Sequence, residues 1–122
     1  MTTQLEHPRV FVVDDEHVIA FTLATILNQS GFRAIPFTNP LDALDAASLE
    51  GPNLLISDVM MPELSGVDLA IRIKSKCPGC KILLFSGQAA TADLLADARR
   101  EGHNFKLLSK PVHPSDLLAA IR

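Results

Sequence analysis

Val10-Phe11-Val12-Val13-Asp14-Asp15-Glu16 is the stretch that decides the fold. Four β-branched or aromatic residues in a row read as a strand buried on both faces, because a half-exposed strand alternates apolar with polar residues. Three acids follow at once, so charge is placed where a buried strand leaves the core. The pattern returns downstream. Leu54-Leu55-Ile56 runs into Ser57-Asp58, Lys81 to Phe85 into Ser86-Gly87, and Phe105 to Leu108 into Ser109-Lys110-Pro111, while Arg33 to Phe37 is a further short run. Between the runs, apolar residues recur at helical spacing. Ile19, Leu23, Ile26 and Leu27 mark a helix over 16–30 that Gly31 stops. Asn39-Pro40, an N-cap with a first-turn proline, opens a second through Leu41, Leu44 and Ala47. Further helices are expected from about Ser65 to Lys76, from Ala89 to Arg100, and in a last segment capped by Ser115.

Five strands alternating with five helices predict an α/β fold, a doubly wound five-stranded parallel sheet with helices on both faces. With right-handed crossovers the common order for five such units is the flavodoxin-like 2-1-3-4-5. Ligands then sit beyond the carboxyl ends of strands one and three, where the winding reverses. Asp14, Asp15, Asp58, Ser86 and Lys110 all fall at that edge of the sheet.

Two unit charges ~4 Å apart repel by about 4 kcal/mol at an effective dielectric near 20. Three carboxylates in one pocket therefore need a cation or a raised pKa. A hard divalent ion bound through oxygens meets that need, and Mg²⁺ characteristically takes one or two carboxylates plus phosphate oxygens. Lys110 offers a second counter-charge and Ser86 a neutral donor. Metal, ammonium and hydroxyl together stabilise a transferring phosphoryl group, and one carboxylate is left to accept it as an aspartyl-phosphate. Glu16 is read as part of a solvated face.

Composition narrows the alternatives. At 122 residues the chain fits one domain with a real core. A formal charge of -3 and the absence of any basic cluster argue against nucleic-acid or anionic-membrane binding. The N-terminus lacks a signal-peptide pattern and no apolar run reaches spanning length, so a cytoplasmic protein is expected. Cys77-Pro-Gly-Cys80 follows a helix and precedes a strand, the opposite polarity to a redox pair at a helix N-terminus. It is read as a tight loop between two semi-buried thiols. His17, His103 and His113 are read as surface or loop residues.

Taken together, Val12-Val13-Asp14-Asp15-Glu16, Asp58-Val-Met-Met-Pro-Glu-Leu-Ser-Gly66, Ser86-Gly87 and Lys110-Pro111 resemble the receiver domain of two-component response regulators. The resemblance divides the chain into an N-terminal extension over 1–8 and a receiver domain over 9–122. It implies Asp58 as phosphoacceptor, Asp15 as a direct metal ligand, Asp14 as an acidic partner reaching the metal through water, and the Met60 backbone carbonyl as a further ligand. It implies Ser86 as the switch hydroxyl, Lys110 as the lysine that pairs with the phosphoryl group, and a cis Lys110–Pro111 peptide. The implied cofactor is Mg²⁺, with Mn²⁺ as a substitute. The implied phosphoryl donor is a histidine kinase or histidine phosphotransfer protein. The implied outlet is a downstream protein or tethered output domain, reached through a face of helix four, strand five and helix five that also offers a dimer contact. Self-phosphorylation, rather than turnover of a substrate, is the expected chemistry.

The pattern departs from the family at one place. Receivers carry Tyr or Phe three residues before the lysine, and here that position is Leu107; Phe105 either replaces it through a shifted register or belongs to the core. A flavin carrier would want a Gly/Ser/Thr-rich phosphate loop where Asp14-Asp15-Glu16 stands. An Asp-nucleophile phosphatase would place its nucleophile after strand one and add a cap for which there is no room. The remaining alternative is a degenerate receiver acting as a constitutive docking module. The chain ends with helix five, so no output domain is expected within it.

Overall fold

Each of the five apolar runs becomes a strand in the computed structural model, which describes residues 7–87 and 91–121. The order is β1 (Arg9–Val13), α1 (His17–Gln29), β2 (Arg33–Phe37), α2 (Pro40–Leu49), β3 (Leu54–Asp58), α3 (Gly66–Lys76), β4 (Lys81–Ser86), α4 (Thr91–Arg100), β5 (Lys106–Ser109) and α5 (Pro114–Ile121). All neighbours pair in parallel, in the order β2-β1-β3-β4-β5. The doubly wound sheet expected from the sequence is therefore the observed one.

The strands sort their side chains by the two-residue period. Phe11, Val13, Leu55 and Leu84 pack beneath α2, α3 and α4, against Ala43, Ala47, Val67, Ile73, Leu95 and Ala98. Val10, Val12, Ile56, Leu83 and Phe85 pack on the opposite face, against Leu23 and Leu27 of α1 and Leu117 of α5. Central β3 is buried along its whole length, whereas edge strand β5 is largely exposed. Burial on both faces explains why the central strands lack alternation.

Local signals set the helix ends. The Asn39 side chain accepts from the Leu41 N–H at 2.8 Å, and Ser65 Oγ accepts from the Asp68 N–H at 3.1 Å. Gly31 and Gly102 take positive φ angles of 95° and 93° just beyond α1 and α4, the left-handed stop that glycine reaches without steric cost. Boundaries differ from expectation by a residue or so, and two of the differences have a visible cause. β5 begins at Lys106, one residue late, because Phe105 lies beside the core rather than in the ladder. α5 begins at Pro114, with the Leu117 N–H donating to the His113 carbonyl at 3.0 Å, so Ser115 lies in the first turn and is not the cap. Proline fits that first position because its missing N–H has no helical partner to lose. The expected start of the fourth helix at Ala89 lies outside the described residues.

The Cys77-Pro-Gly-Cys80 loop closes with the Cys80 N–H on the Cys77 carbonyl at 2.9 Å. Cys80 is a core residue, and burial pushes its thiol up to about 11, which makes it a poor nucleophile. Cys77 packs its sulfur against Gly51. No described helix is long and apolar enough to cross a membrane.

The backbone leaving β3 is held where α3 begins. The Gly66 N–H donates to the Val59 carbonyl at 2.8 Å, and a Cβ on Gly66 would collide with the Asp58 carbonyl oxygen. Gly66→Ala is therefore expected to destabilise by about 2 kcal/mol or more, outweighing the helix-propensity gain of about 1 kcal/mol. Gly79→Ala, where nothing lies within 4 Å, is the control and should stay within about 0.5 kcal/mol of the parent. Urea midpoints measure both, and equal midpoints for the two variants would contradict the close packing.

Candidate functional site

Strand register brings the charged residues together. Val12 pairs with Ile56, Asp58 with Phe85, and Phe85 with Leu108. Asp14, Asp58 and Lys110 stand two residues beyond Val12, Ile56 and Leu108, so the two-residue period puts all three on the α1/α5 face at the carboxyl edge. Carboxylate oxygens of Asp14, Asp15 and Asp58 all lie within 4.8 Å of one another. The Lys110 ammonium stands 3.3 Å from Asp14 Oδ2, 3.4 Å from Asp58 Oδ2 and 3.9 Å from Glu16 Oε1. The Lys110–Pro111 peptide is cis, as the resemblance implied.

Burial grades the three acids. Asp14 is 0% exposed and Asp58 6%, while Asp15 is open to solvent. Asp14 Oδ1 accepts from the Glu16 N–H at 2.8 Å and its other oxygen from Lys110, so both of its oxygens are engaged. Desolvation raises the pKa of Asp14, with the Glu16 N–H and Lys110 pulling it back only in part. Asp58 is raised for the same reason, and the Asp14 charge adds to it. Burial works against the Lys110 ammonium too, yet the facing carboxylates of Asp14 and Asp58 outweigh it and its pKa goes up. The site thus holds more negative charge than one lysine can neutralise.

A cavity of about 310 Å³ opens over this edge, lined by Asp15, Glu16, Asp58, Met60, Gly87 and Lys110. Asp14 is packed behind it. Ser86 is buried at the end of β4, and its carbonyl accepts from the Lys110 N–H at 3.1 Å, tying the two loops together. Glu16, read from sequence as solvated, is exposed but stands on the cavity rim close to Lys110. Two contacts were not read from the sequence. Gly66 presses on the Asp58 backbone, and Phe85 lies with its ring centroid 5.2 Å from the Lys110 ammonium. Spacing gives no sign of either contact, because both depend on how separate strands meet.

The expected aromatic position is an exposed leucine. Leu107 is 39% exposed on the edge strand. Phe105 is partly buried against the α3/α4 side and stacks on His103 at 5.5 Å between centroids, which is the core role and not the shifted register.

Oxygen-only ligands beside an ammonium can hold a hard divalent cation and an incoming phosphoryl group. The family model described as response regulator receiver domain matches residues 10–122. The response regulator receiver protein CpdR of Brucella abortus is 33% identical over 93% of this chain and 92% of its own length. The transcriptional regulatory protein PdtaR of Mycobacterium tuberculosis is 35% identical over 93% of this chain. The chain spans about half the length of several relatives, 54% of PdtaR and 47% of the probable regulator TcrX from the same organism. Among solved structures, a CheY-like receiver domain protein from Methanospirillum hungatei superposes with a TM-score of 0.85 at 26% identity, over 94% of this chain and 90% of that one. On the full set of motifs, the sheet order and the family match, the chain belongs to the response regulator receiver domain family.

Proposed function

We propose that this domain accepts a phosphoryl group on Asp58 in a Mg²⁺-dependent reaction, from a histidine kinase or a histidine phosphotransfer protein in the cytoplasm. The observation that carries the reading is the convergence of Asp14, Asp15 and Asp58 with Lys110 at one end of the sheet. Surplus negative charge, raised carboxylate pKa values and an all-oxygen donor set fit a hard divalent cation. Asp15, Asp58 and the Met60 carbonyl are the groups proposed to hold it, with Asp14 as the buried partner behind them. When bound, the ion neutralises phosphoryl oxygens and the carboxylate charge.

The chain's own groups do the rest. An Asp58 carboxylate oxygen attacks phosphorus as the donor's bond to phosphorus breaks, and the donor keeps the electron pair. Lys110 stands 3.4 Å from Asp58, close enough to meet a phosphoryl oxygen on that side chain. Ser86 at the end of β4 is proposed to supply the neutral donor. Phosphorylation adds ≈ -1.5 to -2 charges, which draws Lys110 and Ser86 toward the acceptor and shifts the loops before α4 and α5. The face of α4, β5 and α5 is the proposed outlet, to a downstream protein, a tethered output domain or a second copy. The degenerate alternative finds no support, since each position of the pocket carries a competent group.

Incubation with acetyl phosphate and Mg²⁺ should add the mass of one phosphoryl group to the parent and none to Asp58→Asn. EDTA should abolish the adduct. An unchanged mass for the parent, or an adduct that persists in Asp58→Asn, would overturn the proposal.

The charge surplus has a consequence for pH. The folded-state pKa values of Asp14 and Asp58 lie above the unfolded value of 3.8, so the native state holds more protons in the window above it. Their contribution to stability is full below about pH 3.8 and is lost as pH rises through the raised folded values. The metal-free protein should therefore melt lower at pH 7 than at pH 5, and Mg²⁺ should raise its Tm more at pH 7, where protons compete less. At tenfold saturation the gain is about 1.4 kcal/mol. Without metal, Asp58→Asn should be more stable than the parent at pH 7 by roughly 1–2 kcal/mol. Thermal melts of both proteins check this, and coincident pH profiles would refute the surplus-charge account.

A further inference from the structure

Lys110 is held from three directions. Its backbone N–H donates to the Ser86 carbonyl at 3.1 Å, its ammonium stands 3.3 Å from Asp14 and 3.4 Å from Asp58, and the Phe85 ring centroid is 5.2 Å away. Phe85 is 1% exposed, and its strand position is fixed by pairing with Asp58 on β3 and Leu108 on β5. Its carbonyl accepts from the Val59 N–H at 3.2 Å, which ties the backbone on which the ring is mounted to the residue after the acceptor. Burial of the ring and pairing of its strand on both sides fix where it sits.

The two kinds of contact respond differently to the reaction. Attraction to Asp14 and Asp58 weakens as soon as a divalent cation takes up their charge, and the Asp58 carboxylate is consumed when it is esterified. The negative face of an aromatic ring is not consumed by either event. A cation within about 6 Å of a ring centroid is attracted by that face whatever the neighbouring acids are doing. No aromatic on β5 can serve instead, because the position three residues before Lys110 is the exposed Leu107.

We propose that Phe85 is a positioning residue for Lys110: its ring keeps the ammonium beside Asp58 while metal and phosphoryl group exchange the charges around it. The consequence for phosphorylation rests on the function proposed above; the placement of Lys110 over the ring does not. Phe85 touches no reacting atom and acts only through the lysine.

The test has an arm for each part. In the metal-free parent protein, the Lys110 δ and ε methylene protons should resonate upfield of their random-coil positions because of the ring current, and should return toward them in Phe85→Leu. With saturating Mg²⁺, Phe85→Leu should lower the maximal rate of phosphorylation by acetyl phosphate roughly 3- to 30-fold, with half-saturation little changed and Phe85→Tyr restoring most of the loss. The same substitution made on Lys110→Met should cost nothing further, since there is no ammonium left to position. Random-coil shifts for Lys110 in the parent, or an equal loss from Phe85→Leu in both backgrounds, would overturn the inference, the latter by reducing Phe85 to a packing residue. If Phe85→Leu fails to fold, the shifts in the parent decide the matter. A parent that takes up no phosphoryl group would remove the proposed function and leave the ring-current result standing by itself.

Discussion

The site is organised around an imbalance of charge. Three carboxylates share one end of the sheet and, among the described residues, a single ammonium, Lys110, reaches two of them at hydrogen-bonding range. Burial makes the imbalance matter, because desolvated acids repel one another far more strongly than acids in water. The fold holds the acids together regardless, by seating Asp14 just after β1 and Asp58 at the end of β3, strands whose apolar residues are packed in the core. Moving either acid away would mean pulling Val12-Val13 or Ile56-Ser57 out of the core.

The architecture gathers this charge at one edge. In a parallel sheet every strand ends at the same side, so groups distant in sequence are delivered to one rim. Asp14 and Lys110 are separated by 96 positions and meet as an ion pair. The close seating of Gly66 on the Asp58 backbone fixes the outgoing chain on one side, and the Ser86 carbonyl fixes Lys110 on the other. Asp58 lies between two braced loops, with Asp15, Glu16 and Met60 open to solvent at the cavity mouth.

One position sets this member apart from the family pattern it otherwise follows. The aromatic place on β5 is taken by Leu107, which is partly exposed, while Phe105 is retained by the core beside His103. An aromatic does stand next to the lysine, but it comes from β4 and packs on the opposite face from Phe105. In the Cys77-Pro-Gly-Cys80 loop the buried thiol of Cys80 is held protonated and the Cys77 sulfur fills space against Gly51. That environment matches a packing role.

The amino-acid order alone was enough for the alternation of strands and helices, the sheet order and the acids at the strand ends. These depend on local rules: apolar runs, helical spacing, caps such as Asn39, and stops such as Gly31. It was also enough to single out Asp14, Asp15, Asp58, Met60, Ser86 and Lys110, because their motifs are contiguous or short. Tertiary structure alone decided that Asp14 is sealed off while Asp15 stays open, that Glu16 joins the rim, that Phe105 goes to the core, and that Phe85 lies against Lys110. Those outcomes depend on crossovers that bring remote strands into register, and a one-residue shift in pairing would send each side chain to the other face.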